Sequence, residues 1–338
     1  MRLWIGTYPA DGAGTPVGTG EGIWYAETDP ATGRLVARQV AEVPAPSYLA
    51  LSPDGATLYA VGETAPGMVL ALAVGADGSL VERERITSGG SDPCHLLVHP
   101  SGRTLYVAQY SSGSLAAVPL SPDGGFAGGV GQIFEHSGIG PHERQAGPHV
   151  HSAVLVDDVV LALDLGTDEL RRYRAGADGV LTVDEIAGRL PFGTGPRHAA
   201  VTRDGDLLVV GELSATLYLL GWDATTARVE PLDRLELAEP PALPAHVTVS
   251  PEGDRAFVGV RGPDEIAVVD VVGRRLVPRG TIPTPAWPRH HAVVDGCLLV
   301  AGERGHRVTV HAMVDGVPQA EVVDQLEIPS PTFILPRP

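Results

Sequence analysis

Arg144-Gln145-Ala146-Gly147-Pro148-His149-Val150-His151 places two imidazoles, a guanidinium and an amide within eight residues. Such a set suits anion binding with proton transfer. Imidazole exchanges protons near neutral pH, and a planar guanidinium matches a carboxylate, a phosphate or a developing oxyanion. The stretch is one version of a theme that recurs. Tyr48, His95, His151, His198, His246 and His290 each follow a proline by two or three residues. Each opens a short apolar run, then a turn, then a second apolar run. Arg197 and Arg289 directly precede two of the histidines.

The elements that position these residues follow from the repeat. The steps from ring to ring are 47, 56, 47, 48 and 44 residues. A period of this size with several short strands per unit is the signature of a β-propeller. Seven units of about 48 residues account for the 338-residue chain, so 1–338 is expected to form a single domain. The fold class is all-β: a seven-bladed propeller with blades of four antiparallel strands. Turn dipeptides such as Asp54-Gly55, Ser101-Gly102, Asp204-Gly205 and Glu252-Gly253 between apolar runs mark the hairpins. Third strands are expected at 68–74, 114–119, 169–174, 216–222, 265–271 and 308–311. Leu3–Tyr8 has no partner before it and Pro331–Leu335 none after it, so the last strand is expected to close the ring beside the first. Pro9–Gly22 reads as a mobile Gly/Thr-rich loop. The longest step leaves a surplus at Ser121–Gly147, a Gly/Pro/His-rich loop leading straight into His149 and His151.

Hairpin geometry then gathers the chemistry. The start of a first strand and the end of its antiparallel partner lie at the same end of the hairpin. The ring residues therefore share a face with Glu63, Tyr110, Glu212, Arg261, Glu303 and the Asp164-Leu165-Gly166 turn. With the first strand innermost, all converge on one mouth of a central channel. Taken singly, a histidine such as His246 is most simply structural, bonded to a neighbouring blade. Taken together the set reads as functional, because buried arginines beside the histidines need an anion or carboxylate partner. Glu212, Glu303 or a bound ligand would supply it.

Composition narrows the classes. The formal charge is −17, and every one of the 24 basic residues is arginine. That argues against a nucleic-acid surface and an electrostatic membrane anchor, and excludes Schiff-base chemistry on lysine. No apolar run approaches membrane length, and with a strand read from Leu3 onward no secretory signal is expected. With only Cys94 and Cys297, no disulfide framework is expected and a cytoplasmic location fits. The glycine-rich stretch 12–22 has no following helix, so no nucleotide cofactor is implied; the expected cofactor set is empty. Histidines and carboxylates in a channel also suit zinc, but the adjacent arginines would repel a cation, and no metal site is assigned. Cys94 beside His95 reads as a small buried hydrophobe rather than a nucleophile. Ser152 lacks the strand–turn–helix elbow of an α/β-hydrolase.

The chain resembles the lactonase-family seven-bladed propellers, which include propeller-type 6-phosphogluconolactonases and carboxy-cis,cis-muconate cyclases. The matching stretches are Pro46–Gly55, Pro93-Cys94-His95-Leu96, Arg144-Gln145 with Pro148–His151, Asp164–Asp168, Gly195-Pro196-Arg197-His198 and Glu212-Leu213. The resemblance implies a site at His149, His151, Arg197, Glu212 and Arg289, the cluster that the hairpins also gather. His95, His198, His290, Glu63, Tyr110, Arg144, Gln145 and Glu303 complete it as substrate-binding candidates. The chain departs from the family where asparagine often precedes the strand-end residue: Gly62, Gln109, Gly211 and Gly302 stand there. Loss of these amides is expected to widen the pocket.

The expected chemistry is metal-free hydrolysis of a lactone, 6-phosphogluconolactone being one candidate. His149, His151 or Glu212 would take a proton from water while Arg197 and Arg289 hold the oxyanion or a substrate anion. Closure of an unsaturated carboxylate to a lactone by the same groups is the second enzyme reading. A non-catalytic ligand-binding or interaction propeller is the third. The expected partner is a small lactone or anionic substrate, with the chain a monomer or weak homodimer.

Overall fold

The computed structural model describes residues 1–9, 19–20 and 22–337. The loop expected at Pro9–Gly22 lies for the most part outside them. Seven four-stranded antiparallel sheets follow one another along the chain. Six are built from consecutive strands. The remaining one, blade 1, joins Arg2–Thr7, Ile23–Thr28 and Leu35–Ala41 to the C-terminal strand Pro331–Pro336, which pairs with Arg2–Thr7. The ring closes by hydrogen bonds between the two chain ends, as the unpaired strands required.

The inner strands of blades 2 to 7 are Leu49–Leu51, Pro93–Val98, Val150–Val156, Pro196–Val201, Leu243–Val249 and Pro288–Val294. Each packs against the inner strands of both neighbours, and Pro331–Pro336 completes the circle. The second strands are largely apolar and fully buried: Thr57–Gly62, Thr104–Gln109, Val159–Asp164 and Leu207–Gly211 lie between two neighbouring sheets. Outer strands such as Val317–Glu327 are mostly exposed. Cohesion comes from apolar layers between blades. One such layer stacks Leu208, Val210 and Leu217 of blade 5 on Val258 and Val260 of blade 6, each worth about 1.5–3 kcal/mol when fully buried.

The surplus at Ser121–Gly147 is largely structured. It supplies the outer strand of blade 3, Gln132–Glu135, and a 3₁₀ turn at Glu143–Gln145. His142 Nδ1 accepts from Arg144 N, and Gln145 Oε1 accepts from His142 N, so the start of the turn is capped reciprocally.

Candidate active site

Six of the seven inner strands share a defect where they begin, and only Leu49–Leu51 of blade 2 pairs without one. Pro93 pairs with Gln109 but His95 with Ala108; Val150 pairs with Asp164 but Ser152 with Leu163; Pro288 pairs with Gly302 but His290 with Ala301; Pro331 pairs with Thr7 but Phe333 with Gly6. Blades 5 and 6 slip likewise across Arg197-His198 and Ala245-His246. These are β-bulges, which turn a side chain out of the strand's alternation. The extra residues are Cys94, His151, Arg289 and Thr332.

The bulges split the channel residues into two layers. Cys94, His151, Arg197 and Arg289 line a cavity of about 370 Å³ together with strand-end and loop residues Glu63, Tyr110, Arg144, Glu212, Leu243, Arg261, Trp287 and Arg304. Beneath them the next residues form a plug of rings. Centroids lie 4.3 Å apart for Tyr48–His95, 5.1 Å for His198–His246, 3.9 Å for His246–His290, 4.1 Å for His290–Phe333 and 4.0 Å for Phe333–Tyr48. Blade 4 contributes Ser152 here, whose Oγ donates to Arg197 O at 2.7 Å. The single frame expected from the sequence is therefore out of step at His151. That residue is the counterpart of Arg197 and Arg289, not of His95.

Glu212 is the electrostatic centre. Its carboxylate meets Arg197 Nε at 2.7 Å, Arg144 Nη1 at 2.5 Å and Arg261 Nη2 at 3.1 Å. Burial alone would raise its pKa, but Arg261, Arg144 and Arg197 hold it well below the usual carboxylate range. Arg197 is 3 % exposed; burial and the nearby Arg261 pull it down to about 9, leaving it charged at neutrality. Its Nη1 also donates to Ala245 O. A second cluster surrounds Arg289, which donates to Glu303 Oε2 at 3.0 Å, lies 3.9 Å from Glu63 and covers the ring of Tyr8. Glu63 accepts from Tyr8 Oη at 2.7 Å and from Ser47 Oγ. Burial pushes the Glu63 carboxyl up, with Arg289 opposing.

The two histidines of the opening motif part company. The strand starts only at Val150. His149 stands before it, stacked on Tyr110 at 4.4 Å, its Nδ1–H donating to Tyr110 O. It does not line the cavity. His151 does, and neither of its ring nitrogens has a hydrogen-bond partner among the described residues. Burial, then Arg197, depress its pKa well below the ordinary imidazole value, so it is neutral at physiological pH.

Several expected binding residues sit behind the wall rather than on it. Gln145 is wholly buried; its Nε2 donates to Leu165 O and Asp168 Oδ1, stapling the loop that carries Arg144. Glu303 backs Arg289 from a position 1 % exposed. His95, His198 and His290 belong to the plug. The glycines expected to widen the pocket do not face it. A Cβ at Gly62 would meet Met68 and Pro44, one at Gly211 would meet Ser214 and Thr194, and one at Gly302 would meet Pro285. Gln109 is buried against Ser88 and Ser114. Strand alternation explains this: the residue before a channel-facing strand end points into the blade. Cys94 is on the wall, its thiol pushed well up by burial and donating to His151 O at 3.3 Å. Trp287 and Arg304 were not singled out from the sequence, although Trp287 precedes Pro288-Arg289 and Arg304 follows Glu303. Among the described residues no group of three His, Cys, Asp or Glu side chains is arranged to hold a metal ion.

Fold and site together define a seven-bladed β-propeller with a histidine–arginine pocket at the starts of its inner strands. The family model for the lactonase seven-bladed β-propeller matches residues 2–336, and the chain belongs to that family. It is 31% identical to the 6-phosphogluconolactonase of Bacillus subtilis over 284 residues, covering 79% of this chain and 77% of the relative. Among solved structures it is similar to the periplasmic gluconolactonase PpgL of Pseudomonas aeruginosa (TM-score 0.89, 26% identity, 100% and 99% of the two chains). It is also similar to a 6-phosphogluconolactonase assigned in Bacteroides fragilis (TM-score 0.88, 25% identity, 98% and 96%). The protein is an enzyme of the lactonase type. Among the described residues no helix is long and apolar enough to cross a membrane.

Proposed function

We propose that the cavity hydrolyses a lactone carrying an anionic substituent, 6-phosphogluconolactone being the first candidate, and that it does so without a metal. The observation that carries this reading is His151: a buried, neutral imidazole with unengaged nitrogens on the same wall as Arg197 and Arg289. His151 takes a proton from water as its oxygen attacks the ring carbonyl. The resulting tetrahedral oxyanion faces guanidinium donors that are already fixed, Arg197 by Glu212 and Ala245 O, Arg289 by Glu303. Preorganised donors of this kind stabilise charge with little reorganisation. The oxyanion collapses, the ring C–O bond breaks, and the imidazolium returns its proton to the leaving alkoxide oxygen. Product is the open-chain hydroxy acid.

Glu212, though on the wall, is assigned an anchoring role. Both of its oxygens are already engaged by guanidiniums, whereas, among the described residues, the His151 ring nitrogens are not. Support for metal-free chemistry comes from the arginines, whose charge disfavours a divalent cation. The test is turnover of 6-phosphogluconolactone and glucono-δ-lactone by purified protein, with and without chelator. Hydrolysis that survives chelator is expected. Loss on chelation would overturn the metal-free mechanism, and no turnover of any lactone would overturn the reading itself.

A further inference from the structure

Four of the five guanidiniums on the cavity wall are paired. Arg144, Arg197 and Arg261 share Glu212, and Arg289 lies between Glu303 and Glu63. Arg304 is the exception. It is exposed, it lines the cavity, and no carboxylate lies within ion-pairing distance of it among the described residues. Its guanidinium is nevertheless held in place. The carbon Cζ lies 3.4 Å from the centroid of the Trp287 ring, close enough for face-to-face stacking, while Arg261 Cζ approaches the same ring at 5.3 Å.

The stack is built into the backbone. Trp287 has φ +65°, a conformation costly for a bulky side chain. Its N–H donates to Asp264 Oδ1 at 2.8 Å, and Asp264 itself is fixed by Gly262 N. Glu303 N donates to Trp287 O, and Gly305 N to Ala286 O, so the segments on either side of Arg304 are tied to those around Trp287. Gly305 permits the approach, since a Cβ there would meet Pro285 and Ala286. Strain supported at this many points is unlike an incidental surface arginine.

We propose that Arg304, stacked on Trp287, is the specificity-determining residue that reads a terminal anionic group of the substrate. The group is a phosphate or carboxylate projecting from the lactone ring toward the open end of the cavity. This rests on the lactonase reading for the identity of the ring, but not for the existence of the anion site. Stacking occupies the face of the guanidinium and leaves its in-plane N–H donors free. Those donors form the fork that binds a carboxylate or phosphate oxygen pair. The local charge balance favours an anion as well. The wall and its backing residue Glu303 carry five guanidiniums against Glu63, Glu212 and Glu303, a surplus of positive charge in a chain of net charge −17. Stacking also lowers the side-chain entropy lost on binding, because the arginine is already ordered.

The experiment is calorimetric titration of the full chain with three stable hydroxy acids: 6-phosphogluconate, glucarate and gluconate. All three carry a carboxylate at C1, and at C6 the first has a phosphate, the second a carboxylate and the third a neutral hydroxyl. Wild type is expected to prefer a terminal-anion ligand to gluconate, and whichever of phosphate or carboxylate binds more tightly names the group. In Arg304→Gln that preference should shrink about tenfold, the size of one lost charge-assisted hydrogen-bonded contact. Arg304→Lys should restore only part of it, since an ammonium keeps the charge and loses the planar fork. Trp287→Leu should weaken the preference through loss of the stack, with folding checked by near-UV circular dichroism. An unchanged preference in Arg304→Gln, or wild type that does not distinguish the ligands, overturns the proposal. Should wild type hydrolyse no lactone yet show the Arg304-dependent preference, the anion site stands and the lactonase reading falls. Should wild type hydrolyse a lactone while Arg304→Gln keeps the full preference, the lactonase reading stands and the anion site falls.

Discussion

Arg197 and Glu212 meet at 2.7 Å, Nε to Oε2, with each side chain only 3 % exposed. One comes from the bulged start of an inner strand and the other from just beyond the end of its hairpin partner. The pair therefore depends on the bulge. A regular strand would carry Arg197 into the blade, and Glu212 would hold two guanidiniums instead of three.

Replacing Glu212 with glutamine leaves Arg144, Arg197 and Arg261 without their shared carboxylate. Removing one partner from a buried ion cluster costs about 3–5 kcal/mol. Urea unfolding of Glu212→Gln should show a loss of this size, and lactonase activity should fall with it. The pH dependence has a definite sign. The folded-state pKa of Glu212 is depressed, so its contribution is present above the ordinary carboxylate pKa and is lost as pH falls through the lower folded value. The stabilities of wild type and variant should therefore converge on acidification, and a gap independent of pH would contradict the charge cluster.

His151→Ala should lower kcat by about 10²–10⁴-fold, the usual worth of a positioned base. His149→Ala should cost much less, because its ring stacks outside the cavity wall. Equal losses in the two variants would overturn the assignment of the base to His151. Because the pKa of His151 is depressed, the basic form persists below about pH 6.5, and kcat should stay flat through the normal imidazole range.

The ring plug makes the fold acid-sensitive. His95 is pulled down to about 3 by burial and Arg197, and His198, His246 and His290 lie well below the ordinary value for the same first reason. Each is neutral in both states above about pH 6.5. Below that, the unfolded chain takes protons that the native ring refuses, so stability drops until the folded pKa is reached. Urea midpoints should decline from about pH 7 to about pH 4. His290→Phe, which keeps the ring contact with Phe333, should flatten the slope by up to about 1.4 kcal/mol per pH unit; an unaltered slope would mean that His290 protonates in the folded state.

Gly166→Ala tests the loop that carries His149. A Cβ on Gly166 would land on Gly147 O and 2.8 Å from His149 N. That nitrogen donates to Asp164 Oδ1, which also accepts from Gly166 N. Both opposing atoms are backbone, so the loop must shift. A loss of about 1–3 kcal/mol is expected by thermal unfolding, with the His149–Tyr110 stack disturbed; wild-type stability would show that the loop adapts freely.

The architecture was legible because it is written in periodic signals. Proline, ring, apolar run and Asp-Gly turn recur at blade spacing, and two unpartnered terminal strands leave one way to close the sheet edges. Hairpin geometry also named most of the wall in advance, including Glu63, Tyr110, Glu212 and Arg261, since strand ends share a face whatever the details. What only the tertiary structure decided is the phase within each strand. A bulge is one extra residue in a backbone ladder, with no fixed sequence mark, and it moves a side chain to the other face. It separates His151 from His95, sets His151 beside Arg197 and Arg289, and relegates the remaining ring histidines to a buried plug. The Arg304–Trp287 stack is also tertiary. It joins residues 17 positions apart through a strained φ and paired loop backbones, contacts that composition and spacing do not encode.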